Sequence, residues 1–394
     1  MLKILANRTY RHLFFAQTVA LVGTGLATIA LAFLAYDLAG EKAGTVLGTA
    51  LAIKMLANIG IAPIAAAFTE RWPRRNMLVF LDLIRAGVAL ALPFITEIWQ
   101  IYILIFLLQS ASAAFTPTFQ ATIPDILSDE NDYTYALSLS RLAYNLENVL
   151  SPMLAAALLS VISFHSLFGG TAIGFLISAA LVVSVTLPRT KLPEPRSIYD
   201  RTTRGIRIYL TTPRLKGQLI LNLVAAAANS MIIVNTVVIV QTNYGLPQSS
   251  TAWALAVFGG GSMVAALVLP QLLQKISDRK AMLTGAAMLT IGLFFGLLLP
   301  GYYWLLPLWF VYGVGYSLVQ TPSGRLLRCS AHPHDWPAVF AAQFALSHTC
   351  GLITYPLAGW SSFNLGIPAT FALMGSIAVM AWIICLKVWP KSDP

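Results

Sequence analysis

Twelve long apolar runs dominate the chain, near residues 12–36, 45–68, 76–97, 99–122, 136–162, 166–187, 215–241, 250–274, 281–300, 302–324, 337–360 and 366–388. A run of about 20 such residues crosses the hydrocarbon core of a bilayer as a helix, because every backbone N–H and C=O must there be satisfied within the segment. Strands are excluded, since a barrel strand needs only about ten residues of alternating character. Composition agrees: 57% of the 394 residues are hydrophobic and 10% are charged, against about 25% charged in a soluble domain. The sequence predicts an all-α membrane protein of twelve transmembrane helices. MLKILANRTYRH, ahead of the first run, has no small-residue cleavage site and is not expected to be a removable signal sequence.

The basic residues orient these helices. With both termini in the cytoplasm, 21 of the 25 Lys and Arg fall in inner segments, while the outer loops hold one, Lys42. That asymmetry predicts a multi-pass protein of a bacterial inner membrane with cytoplasmic termini. The net charge of +10 is then topology and attraction to anionic lipid, not nucleic-acid binding. Three cysteines, Cys329, Cys350 and Cys385, give no disulfide framework.

The longest polar stretch separates runs six and seven, so the expected organisation is an N-terminal six-helix half (1–187), a cytoplasmic linker (188–214) and a C-terminal six-helix half (215–394). A shift of 205 residues places Arg74, Arg75, Met77 and Leu78 on Arg279, Lys280, Met282 and Leu283, Trp99 on Trp304, and Thr116-Pro117 on Thr321-Pro322. A common offset at equivalent span positions indicates an internal repeat. Two parallel six-span repeats place a substrate site between the halves near mid-membrane.

AAAFTERWPRRNML (65–78) resembles the loop motif between spans two and three of the major facilitator superfamily, G-x-x-x-D-R-x-G-R-[RK]. Glu70, Arg71, Arg74 and Arg75 match by charge, and Ala66 and Pro73 stand where glycines are usual. LDLIRAG and FTPTFQATIPDIL are similar to the drug:proton antiporter branch. LAYDLAG, GTALAIKMLA and FAAQFALSHTCGLITYPLAGW are most similar to its nickel-resistance exporters. The resemblance implies the major facilitator fold, and a cytoplasmic gate made of Glu70, Arg71, Arg74, Arg75 and Asp125. Ordinary positive-inside anchoring is the other reading of these charges.

Charges inside the runs are the sharper signal, because a charge at mid-bilayer costs about 2.5 kcal/mol or more. Asp82 and Arg85, three apart on span three, are expected to form a structural ion pair. Lys54 lies well inside its run, with Asn58 one turn away. It is expected to face the central cavity; snorkelling outward along its stem is the alternative. Glu147 lies on a polar span five that also carries Arg141, and it serves either as a proton or substrate site or as a permanent partner of Arg141 or another cation. Gln17, Thr24, Gln109, Asn229, Tyr312, Tyr316 and His348 complete the expected cavity lining. A lone intramembrane His is either a hydrogen-bonded structural group or a proton carrier. No metal site is expected, since His348 and Cys350 are two apart and point in different directions along a helix.

Three functions are open at this point. One is export of a small organic molecule, drug-like or metal-chelating, by proton-coupled alternating access. The second is export of nickel or another divalent metal, and the third is a membrane receptor or scaffold that transports nothing. With no P-loop, dinucleotide fingerprint or nucleophile elbow in the sequence, enzymatic and ATP-driven chemistry have no support. The expected partners are a small-molecule substrate, protons and the lipid bilayer, with no cofactor, and the chain is expected to work as a monomer.

Overall fold

The computed structural model describes residues 2–39, 43–69, 72–159, 161–187, 198–236, 238–298 and 301–390. Twelve long helices follow the apolar runs: α1 (Arg8–Ala39), α2 (Ala43–Thr69), α3 (Arg74–Ala91), α4 (Ile98–Ile126), α5 (Glu130–Leu159), α6 (Phe164–Val183), α8 (Pro213–Ser230), α9 (Gln248–Leu272), α10 (Asp278–Phe295), α11 (Tyr302–Gln320), α13 (Trp336–Leu365) and α14 (Ile367–Val388). Two shorter helices, α7 (Ile198–Thr211) and α12 (Ser323–Ser330), lie between them. Eight helices are long and apolar enough, among the described residues, to cross a membrane, and Ala52–Ala65 of α2 is a shorter apolar stretch. The other three long helices are α5, α11 and α13, which hold Arg141 and Glu147, the tyrosines, and His348.

Local chemistry sets several boundaries. α4 begins with a capping box, in which Gln100 Oε1 accepts from the backbone N–H groups of Thr96 (2.8 Å) and Glu97 (3.1 Å). Ser277 accepts from the Lys280 N–H at the start of α10. α13 and α14 are joined through Gly366, whose φ of +84° favours a residue without Cβ. Beyond α8 the backbone widens into π-helical turns at Met231–Asn235 and Val238–Asn243, a geometry that occurs mostly as local bulges near functional sites.

The packing repeats along the chain. α1 packs on α6, α2 on α4, and α3 on both α4 and α6; in the same order α8 packs on α14, α9 on α11, and α10 on both α11 and α14. α3 and α10 each end in a 3-10 turn, at Leu92–Phe94 and Gly296–Leu298. The 205-residue offset thus has a structural counterpart in five of the six long helices of each repeat.

The chain divides into two compact units. The first comprises Met1–Ala136, Leu146–Arg207 and Ala331–Ala345; the second comprises Leu137–Asn145, Ile208–Ser330 and Leu346–Pro394. Two long helices therefore each contribute to both units: α5, whose middle segment Leu137–Asn145 belongs to the second, and α13, which divides after Ala345. In the first unit, Ala341 and Phe344 of α13 pack on Ile61 and Ala62 of α2 and Ala113 of α4. α7 joins the same unit, where Arg204 makes a two-point salt bridge to Asp335 and Gly205 lies against the Ala338 backbone. A larger core gathers α1, α2, α3, α4 and α6 around Ala89, Ile101 and Phe175.

In the second unit α9 and α11 approach through glycines. A Cβ on Gly313 would overlap the Phe258 carbonyl and stand 2.7 Å from the Ser262 nitrogen, and one on Gly261 would overlap the Phe310 carbonyl. Close contact through small residues holds membrane helices together where the hydrophobic effect cannot. Gly313→Val is expected to abolish recovery of folded protein, since backbone atoms cannot yield as side chains do. A monodisperse gel-filtration peak at wild-type yield would contradict this close packing.

Candidate functional site

Lys54 and Glu147 lie in the first unit, on α2 and α5, within electrostatic reach of each other. Both are half-buried. α1 leaves room for the carboxylate because residue 25 is glycine: a Cβ there would overlap the Ser151 hydroxyl and stand 2.9 Å from Glu147 Oε1. Three helices thus converge on one charged pair. Each group offsets part of the cost of removing the other from water. Asn58, one turn along α2, is buried, and its Oδ1 has no hydrogen-bond partner among the described residues.

The other first-unit candidates are dispersed. Gln17 is buried and Gln109 half-buried. Thr24 turns its hydroxyl back onto the Ala20 carbonyl at 2.9 Å. Asp82 and Arg85 are salt-bridged and buried. Ser178 donates to the second Asp82 oxygen at 2.8 Å, and the Arg85 guanidinium lies over the rings of Phe115 (4.0 Å) and Phe175 (4.5 Å). Enclosed on α3, α4 and α6, this group reads as architecture.

At the foot of the first repeat Arg74 is salt-bridged to Asp125 and donates to the Ala121 carbonyl at 2.8 Å, and Arg75 donates to the Val183 carbonyl. Glu70 and Arg71 lie outside the described residues. The second repeat has a corresponding clasp with the signs exchanged, Asp278 to Arg325 at 3.5 Å. The sequence reading missed it, although the 205 shift sets Asp278 opposite Pro73 and Arg325 opposite Gln120.

The second unit holds a different cluster. Arg141 of α5 places its guanidinium over the Tyr316 ring of α11, 4.5 Å from the centroid, and Phe258 of α9 meets the same ring at 5.9 Å. One turn along α5, Asn145 donates to Ser262 at 2.9 Å. Asn229 of α8 donates to the Tyr355 hydroxyl at 2.8 Å, and Tyr355 lies within electrostatic reach of Tyr316. Five helices therefore meet at one polar and aromatic patch containing the predicted Arg141, Tyr316 and Asn229. Asn145 shares the polar stripe of span five with Arg141, whereas Tyr355, Phe258 and Ser262 were not singled out in the sequence. Tyr312, one turn from Tyr316, lies elsewhere: it is fully buried, stacked on Trp309 at 5.3 Å and pressed against Gly292. His348 is half-buried on α13.

A helical membrane bundle built from two like repeats, with charged and aromatic groups buried midway along its spans, has the form of a solute transporter. The family model for the Major Facilitator Superfamily matches residues 13–221 and 218–394. The chain belongs to that superfamily. Among relatives, the uncharacterized MFS-type transporter YfiS of Bacillus subtilis is 22% identical over 343 residues, 83% of this chain and 81% of that one. Macrolide efflux protein A of Streptococcus pyogenes is 24% identical over 178 residues, 44% of this chain and 43% of that one. Two solved structures share the fold: the human organic anion transporter MFSD10 (TM-score 0.79, 11% identity), and a bacterial homologue of the iron transporter ferroportin (TM-score 0.78, 12% identity). Each covers 96% of this chain and 99% of its own.

Proposed function

We propose that this superfamily transporter is a secondary active exporter of a small organic molecule, driven by proton exchange through alternating access. The observation that carries the reading is the Lys54–Glu147 pair. A carboxyl whose cation partner and hydration change as helices move binds and releases a proton, and an embedded ionisable group of this kind marks a transport pathway. Likeness to macrolide efflux proteins supports export as the direction. The clasps Arg74–Asp125 and Asp278–Arg325, with the residues around Glu70 and Arg71, would serve as the gate at the linker end. A bacterial inner membrane with both termini cytoplasmic fits the basic residues at that end. Export of a bare divalent metal has less support: no three His, Cys, Asp or Glu side chains converge among the described residues, and such ions need several hard or imidazole ligands.

The test is flux in proteoliposomes under an imposed pH gradient, with Ni²⁺, lipophilic dyes and organic anions compared. Gradient-dependent flux of an organic solute is expected. Flux of Ni²⁺ alone would overturn the substrate reading, and flux indifferent to the gradient would overturn the coupling.

A further inference from the structure

Arg141 has no carboxylate partner among the described residues. Its Nε is buried and has no hydrogen-bond partner among the described residues, and its recorded neighbour is the face of Tyr316. Among the described residues of its own unit no acid is recorded against it. Residues 137–145, 208–330 and 346–394 contain two acids, Asp278 and Asp393. Asp278 is salt-bridged to Arg325 at the foot of α10, and Asp393 lies outside the described residues. The embedded acids Asp82 and Glu147 belong to the other unit, where Arg85 and Lys54 balance them.

A cation–π contact is worth about 0.5–2 kcal/mol, less than the several kcal/mol that a buried ion costs. Something else must complete this site during the transport cycle. A guanidinium over a ring can present its N–H groups as the fork that engages a carboxylate or phosphate at two points. Beside that fork stand the rings of Tyr316 and Phe258 and the Asn229–Tyr355 hydrogen bond. Such a patch suits an anionic end on a flat apolar body.

We propose that Arg141, walled by Tyr316 and Phe258, is the anion-recognition point, and that the exported molecule is an aromatic organic anion bearing a carboxylate or phosphate. The proposal rests on the exporter reading but is tested without a gradient, so the two fail separately. Full-length protein in zwitterionic nanodiscs is titrated with 2-naphthoate, 2-naphthyl phosphate, neutral 2-naphthamide and cationic 2-naphthylmethylammonium. The two anions are expected to bind, and the amide and the amine at least about tenfold more weakly, the factor a charge-assisted hydrogen bond provides. Arg141→Gln should remove that preference and Arg141→Lys should keep part of it. Tyr316→Leu, which retains the cation, should weaken anion binding about threefold or more and serves if Arg141→Gln does not fold. Equal binding of all four probes, binding of none, or unchanged preference in Arg141→Gln and Tyr316→Leu would overturn the proposal. Displacement of naphthoate by phosphatidylglycerol, with no naphthoate flux in liposomes, would assign the site to a lipid headgroup and overturn the substrate class.

Discussion

Lys54→Met and Glu147→Gln, made singly, are each expected to lower thermal stability, and the double variant is expected to recover most of the loss. Each single change leaves its partner as an uncompensated charge in a site of low dielectric. That situation costs up to about 3–5 kcal/mol when a pair is fully buried, and less here because both side chains are half-buried. Flux behaves differently. All three variants should lose gradient-driven transport, by about 5- to 150-fold if the pair carries a typical coupling energy. Stability restored while flux stays lost separates a coupling role from a structural one. Thermal unfolding in detergent alongside flux in liposomes reads both, and additive destabilisation in the double variant would show that the two groups do not act as a pair.

Arg85→Ala should be among the most damaging single changes in the first unit. It leaves Asp82, fully buried, with only the Ser178 hydroxyl to offset its charge, and removes a guanidinium that fills the space between Phe115 and Phe175. Breaking a buried pair from one side costs about 3–5 kcal/mol, and the lost ring contacts add about 0.5–2 kcal/mol each. Replacing both groups with apolar residues, Asp82→Leu with Arg85→Met, is expected to fold far better than Arg85→Ala and to retain transport, because this pair is enclosed by packing. Transport lost in a well-folded double variant would give the pair a functional role beyond architecture.

The spans, the 205-residue repeat and the short-range polar pairs were legible in the sequence for physical reasons. Spans are set by bilayer thickness, and Asp82 and Arg85 can meet because three residues is nearly one helical turn. What periodicity cannot show is which face of a helix meets which neighbour. Tyr312 and Tyr316 carry equal weight as a stripe, yet one is fixed between Trp309 and Gly292 while the other lies under Arg141. Tyr355 hid for the same reason, since nothing local marks it as the acceptor of an amide on a helix 126 positions away in sequence. α7 was read only as linker, because its amphipathic pattern is short and its anchor, Asp335, lies far along the chain. The division of α5 and α13 between the two units was likewise invisible, because it depends on long-range packing.

The most direct test of Glu147 as the coupling group is the pH inside proteoliposomes, followed with a trapped dye while a transported solute moves. In wild type, solute flux should be accompanied by opposite proton movement. In Glu147→Gln, solute exchange at equal concentrations should continue while proton movement and gradient-driven accumulation vanish. Full gradient-driven accumulation with undiminished proton movement in Glu147→Gln would contradict the account.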